Sequence, residues 1–180
     1  MEAQLPGTRI LLVDDHALFR EGAARLLDAE RDLKVVGRCG SVDEALEILG
    51  STGVDLVLLD VDLGRERGFQ FFKPARDNGF GGRVLVVAAV LSVFEARRLM
   101  QAGAAGVFLK QNPPNLLVDA IRSVMDGQLY IDSERSRAQT ISGAIPIAVD
   151  HRIRGGLVCG KADVIQTDAT KTHPSSDLHG

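Results

Sequence analysis

The sequence predicts an α/β protein built on a five-stranded parallel sheet with helices packed on both of its faces. Three observations carry that expectation. Short apolar runs alternate with longer segments of helical periodicity through five units. The runs are apolar at consecutive positions, as strands covered on both faces must be. Three of them stop abruptly on charged residues.

Composition sets the bounds. Hydrophobic residues make up 45% of the 180, enough for the core of one ordinary domain with an appendage. The formal net charge is -3 and there is no block of lysine or arginine, so no electrostatic footprint for nucleic acid or an anionic membrane is present. Cys39 and Cys159 lie far apart and lack the close spacing of a zinc or redox pair, which reads as reduced thiols in a cytoplasm. Met1 to Thr8 contains no basic stretch followed by an apolar run, and no segment reaches the length of a membrane span. A cytoplasmic protein without a membrane anchor is expected.

Each element has its own warrant. Arg9 to Val13 is the first strand, ended by Asp14 and Asp15. Ala17 to Ala29 is an amphipathic helix, with Leu18, Ala23, Leu26 and Leu27 as its apolar positions. Lys34 to Gly37 is the second strand, and Ser41 with Glu44 forms a capping-box pattern opening a helix through Leu49. Val54 to Leu59 is the third strand, ended by Asp60. The loop from Val61 to Gly68 leads into a helix from Phe69 to Asp77, which Pro74 should kink or shorten. Arg83 to Val87 and Gly106 to Leu109 are the fourth and fifth strands, separated by a helix from Val93 to Ala102. Pro113-Pro114 suits the first turn of a last helix to about Asp126, closed by Gly127. Right-handed crossovers leave few possible orders for such a doubly wound sheet. The flavodoxin-like order 2-1-3-4-5 puts the first and third strands side by side, with ligands binding beyond their carboxyl ends.

The strand ends carry the chemistry. Asp14, Asp15, Asp60 and Lys110 all fall at the same edge of that sheet. Taken singly, each has a plainer explanation as a polar loop residue or turn cap. Jointly they do not, because repeated charge at a buried edge costs several kcal/mol unless paired or metal-bound. A hard divalent ion such as Mg2+ prefers oxygen ligands and keeps waters, leaving room for phosphoryl oxygens. Asp60 is then a candidate nucleophile and Lys110 the counter-charge to a transferred group. The run Asp14-Asp15-His16 could be read as metal ligands, but His16 is expected instead to start the first helix with its ring at the rim of this cleft.

Residues from about Arg9 to Tyr130 resemble a response-regulator receiver domain of two-component systems, most like the receivers of LuxR/NarL-type transcriptional regulators. The matching stretches are Ile10-Leu11-Leu12-Val13-Asp14-Asp15-His16 with Phe19-Arg20-Glu21-Gly22, Asp55 to Asp60, and Ala102-Gly103-Ala104-Ala105-Gly106 leading to Lys110. The resemblance implies that Asp60 accepts a phosphoryl group from a sensor histidine kinase or phosphotransfer protein. It also implies that Asp14 or Asp15, Asp60 and the backbone carbonyl of Asp62 ligate Mg2+, that Lys110 contacts the phosphate, and that the domain is a signalling module and no enzyme in the ordinary sense. A homodimer is a further implied partner.

Two switch positions depart from the family. Where the resemblance calls for a Ser or Thr at the end of the fourth strand, this chain has Ala88, which offers no hydroxyl; where it calls for an aromatic early in the fifth strand, it has Val107. Phe108, next along, is predicted to face the opposite side of the sheet. Gly64 replaces the usual Pro after the phosphoacceptor. The expected division is an extension over residues 1–8, a receiver over 9–130 and an atypical tail over 131–180. No helix-turn-helix with a basic recognition face is visible in that tail, so DNA binding is not predicted. A natural truncation, a frame change or an unfamiliar partner-binding tail would each account for it, and poor order is expected there. Two other functions compete. Asp60-Val61-Asp62 resembles the paired aspartates of haloacid-dehalogenase-type phosphatases, but that motif belongs on a first strand and here Asp14-Asp15 precede it. A receiver-like protein-binding module without a phosphorylation cycle is the other, motivated by Ala88 and Val107.

Overall fold

The computed structural model describes residues 7–64 and 66–131. The expectations for the tail beyond Ile131 lie outside the described residues. The main sheet contains β1 (Thr8–Val13), β2 (Leu33–Cys39), β3 (Leu56–Asp60), β4 (Arg83–Ala88), β5 (Gly106–Leu109) and β6 (Tyr130–Ile131), in the order β2-β1-β3-β4-β5-β6. Every pairing in it is parallel. The helices are α1 (Ala17–Asp28), α2 (Val42–Ser51), α3 (Phe72–Asp77), α4 (Val93–Ala102) and α5 (Pro114–Met125).

The predicted order is thus observed, with a sixth strand in place of a five-stranded edge. Tyr130 and Ile131 pair with Gly106 and Val107, a short register that gives no apolar run long enough to announce a strand. Alternation along the buried strands divides the core into two layers. Leu11, Val13, Val57 and Leu59 face one side with residues of α2, α3 and α4. Ile10, Leu12, Leu56 and Leu58 face the other, with residues of α1 and α5. Leu56 to Leu59 are all buried, which is why β3 reads as a continuous apolar run.

Three local expectations are corrected. Leu18 is 90% exposed, and α1 instead buries Ala23, Ala24 and Leu27, with Phe19 and Leu26 partly covered. Position 18 lies about 100° around the helix from position 19, so Phe19, Ala23 and Leu27 form the inward stripe. The segment predicted as one helix from Phe69 starts as a 3-10 turn, Gly68–Phe71, and becomes α-helical only at Phe72. Pro74 then sits in the first turn of α3, where its missing N–H costs nothing. At α2 the Ser41 hydroxyl accepts from the Glu44 amide, but the Glu44 carboxylate accepts from the amide of Gly40 instead of closing on Ser41. A full reciprocal capping box occurs at α4, between Ser92 and Glu95, and Gly103 closes that helix with φ of +112°. A two-residue antiparallel ribbon pairs Asp62 with Arg67 just beyond the site edge.

Candidate functional site

Each charged residue of the site is delivered by a strand whose ladder of backbone hydrogen bonds runs past the strand's end. The Asp14 amide donates to the Cys39 carbonyl, that of Val61 to Val87, and that of Lys110 to Ala88. The functional side chains are therefore rooted in the sheet and not in free loops. Asp14 and Asp60 are the buried charged residues of the described chain, at 4% and 3% exposure. Lys110 Nζ lies 2.7 Å from Asp14 Oδ2 and 2.7 Å from Asp60 Oδ2, so three neighbouring strands converge on one point. The structure thus brings together these three of the residues that the strand ends single out. Asp15, more exposed, lies at the same point with His16: one ligand atom from each of Asp14, Asp15, His16 and Asp60 falls within 4.8 Å of the others.

The electrostatics follow from this crowding. Burial holds the Asp60 carboxyl above the usual carboxylate range, with Asp14 adding to the rise and the hydrogen bond from Lys110 opposing it. Burial alone would lower Lys110, but its close contacts with the Asp14 and Asp60 carboxylates outweigh it and the ammonium is held above its ordinary value. The amide of Asp62 donates to Asp60 Oδ1 at 3.3 Å, while the Asp62 side chain points to solvent and pairs with Arg67. Asp14 Oδ1 accepts from the His16 amide at 2.8 Å. Asp14 Oδ2 is buried and accepts no hydrogen bond of proper geometry, although Lys110 lies at ion-pair distance. A buried carboxylate oxygen with an open lone pair, facing a second buried carboxylate, suits a hard divalent cation. The donor set therefore fits Mg2+.

Four further residues shape the site; His16 was expected at its rim and Phe19 and Arg20 belong to the stretch that carries the resemblance, but the contacts they make were not readable in the sequence. His16 caps α1 with its backbone, and its Nδ1 lies 2.8 Å from Asp15 Oδ1. The Arg20 guanidinium donates to the Asp14 carbonyl, pinning the chain where β1 ends. The ring of Phe19 lies under Lys110 Nζ, 4.6 Å from its centroid, and confines the ammonium from below. Gly68 passes so close to the Asp60 backbone that a Cβ there would meet the Asp60 carbonyl oxygen at 2.2 Å. Such a glycine is readable only as a loop residue until the contact is seen.

The two switch positions lie in the core layer that faces α2, α3 and α4, with Ala88 next to the site edge. Ala88, 1% exposed, ends β4 beside Leu109, and Val107, 4% exposed, packs in the same layer. Phe108 faces the opposite layer, with Leu117 and Ile121, as predicted. No helix among the described residues is long and apolar enough to cross a membrane.

Comparison with known proteins agrees with this geometry. Residues 10–122 match the sequence profile described as response regulator receiver domain. The response regulator UvrY of Escherichia coli strain K12 is 32% identical over 137 residues, covering 76% of this chain and 63% of UvrY. A signal receiver domain from Mycobacterium tuberculosis superposes with a TM-score of 0.65 at 31% identity, covering 69% of this chain and 100% of that one. A two-component response regulator of the LuxR family from Aurantimonas sp. SI85-9A1 does so with a TM-score of 0.70 at 27% identity, covering 76% and 99%. The chain thus spans under two thirds of the length of its curated relative, and what it shares is the part that contains the acidic strand ends. With its order of strands, its two buried aspartates and its lysine all in that shared part, the chain belongs to the response regulator receiver domain family.

Proposed function

We propose that this receiver is the phosphoacceptor of a Mg2+-dependent relay in a cytoplasmic two-component system. Asp60 attacks the phosphorus of a phosphohistidine on a sensor histidine kinase or phosphotransfer protein. The P–N bond breaks, its electron pair returns to the imidazole, and an acyl phosphate forms on Asp60. The observation that carries this reading is the convergence of Lys110 Nζ on Asp14 Oδ2 and Asp60 Oδ2, both at 2.7 Å, from three adjacent strands. Mg2+ held by Asp14, Asp15, Asp60 and the backbone carbonyl of Asp62 would neutralise charge on the phosphoryl oxygens. Lys110 turns from Asp60 to the incoming phosphoryl group and balances its negative charge. Burial of Asp60 keeps water from the reacting oxygen, and the ladder of β3 orients it. Catalysis here is positioning with charge neutralisation, and self-dephosphorylation by water is the only hydrolysis the domain supports.

A second reading, a docking module with impaired switching, is favoured by Ala88 and Val107. Ala88 has no hydroxyl to bond a phosphoryl group, and Val107 cannot act as an aromatic that turns inward. On this reading the fold would serve to dock partners without a phosphorylation cycle, and without any dimerisation that depends on one. Incubation with Mg2+ and a small phosphodonor separates the readings. A hydroxylamine-labile adduct on Asp60, absent from Asp60→Asn, supports the phosphoacceptor; absence of any adduct together with absence of Mg2+ binding supports docking alone.

A further inference from the structure

We propose that His16 is a nitrogen ligand of the acidic site and biases it toward borderline divalent ions, such as Co2+ or Ni2+, relative to Mg2+. This rests on the reading of the site as a divalent-cation site and adds a ligand of different chemistry to it. His16 Nδ1 lies 2.8 Å from Asp15 Oδ1, 3.5 Å from Asp14 Oδ1 and 3.8 Å from Asp60 Oδ2. Two ligand atoms about 2.1 Å from one ion and at right angles are about 3.0 Å apart, so the first two separations bracket those of atoms sharing an ion. The root of the ring is fixed, because the His16 amide is held by Asp14 Oδ1 at 2.8 Å. At the same place Asp14 Oδ2 is buried and has Lys110 Nζ as an ion-pair contact at 2.7 Å but no hydrogen bond of proper geometry, which leaves a lone pair open to an ion.

The chemistry of the donor decides the ion. Mg2+ takes oxygen ligands and gives up water reluctantly, whereas imidazole nitrogen suits first-row ions later in the divalent series. A site of carboxylates alone discriminates weakly among these ions on ligand type. Adding one imidazole raises the affinity for Co2+ and Ni2+ far more than for Mg2+. The competing explanation is that His16 only bonds Asp15. Removing the ring would then free Asp15 for every ion alike, leaving the ratio of affinities unchanged.

The test uses the full chain with His151, His173 and His179 replaced by Gln, so that any imidazole signal belongs to His16. Calorimetric titration with Mg2+ and Co2+ is carried out with and without His16→Ala, and bound Cu2+ is examined by pulsed electron paramagnetic resonance for nitrogen coupling. His16 is 68% exposed at its side chain and makes no side-chain cap to α1, so His16→Ala leaves the fold intact. The expected result is a fall of at least about tenfold in the Co2+/Mg2+ affinity ratio, the scale of loss seen even when groups that merely support a ligand are removed, together with loss of the nitrogen coupling. An unchanged ratio, or nitrogen coupling absent before the substitution, overturns the inference. If Mg2+ still binds and supports labelling of Asp60, only this inference falls. If neither Mg2+ nor Co2+ binds the unsubstituted site, the cation-site reading falls with it.

Discussion

Replacing Lys110 with methionine removes the ammonium that lies 2.7 Å from both buried carboxylates while keeping an unbranched apolar stem over the Phe19 ring. At an effective dielectric near 20, each of those contacts contributes about 6 kcal/mol of gross attraction. Most of that is offset by the cost of taking the charges out of water, and breaking a buried pair costs about 3–5 kcal/mol net. The lower end applies, because Lys110 is 15% exposed and Asp60, already held above the usual carboxylate range, relieves part of the repulsion by taking up a proton. Lys110→Met is therefore expected to destabilise the metal-free domain by about 3 kcal/mol, a shift of about 1–3 M in the urea midpoint. Added Mg2+ should recover more stability in the variant than in the parent, because there the cation no longer competes with an ammonium for the same oxygens. Urea titration followed by circular dichroism, with and without Mg2+, measures both quantities. Coincident midpoints for the two proteins, or an equal gain from Mg2+, would refute the argument that Lys110 neutralises this pair.

Asp60→Asn should act in the opposite direction. Because burial raises the folded-state pKa of Asp60, the fold disfavours its ionised form. That penalty is absent below the unfolded value near 3.8, grows through the interval up to the raised pKa, and is complete above it. Asp60→Asn should be the more stable protein at pH 7, with the difference shrinking as the pH falls toward 4; a pH-independent difference in urea midpoint would contradict this. Gly68→Ala should cost about 1–3 kcal/mol, since its Cβ must push the Asp60 carbonyl aside, and a parent-like midpoint with unshifted amide resonances at Val61 and Asp62 would count against it. Ala88→Thr buries a hydroxyl at a position 1% exposed and should destabilise the unmodified domain by about 1–3 kcal/mol, while increasing the spectral change on treatment with a phosphodonor; no added change would remove Ala88 as the reason for weak switching. Burial pushes the Cys39 thiol up to about 11, so peptide mapping after iodoacetamide at pH 8 should find Cys39 unmodified in the native protein and alkylated in urea.

Much of this molecule was legible because parallel strands buried on both faces must be apolar throughout. The first charge after such a run marks where the chain leaves the sheet, so Asp14, Asp60 and Lys110 could be placed at one edge from periodicity and topology. The same argument placed Phe108 opposite Val107, since alternation depends only on neighbours along the chain. What was not legible depends on distance between segments far apart in sequence. The phase of α1 turns on which side chain meets the sheet, and Phe19 took the inward position that Leu18 had been assigned. Tyr130 and Ile131 become a strand only because the β5 edge is there to accept them. Gly68 matters only through its approach to the Asp60 carbonyl, and His16 only through the few ångströms separating its ring from three carboxylates. Local pattern determined the elements and their charged ends; the meeting of those ends, and so which groups share a charge or a proton, was decided by tertiary packing, because electrostatic and steric terms act through space and not along the chain.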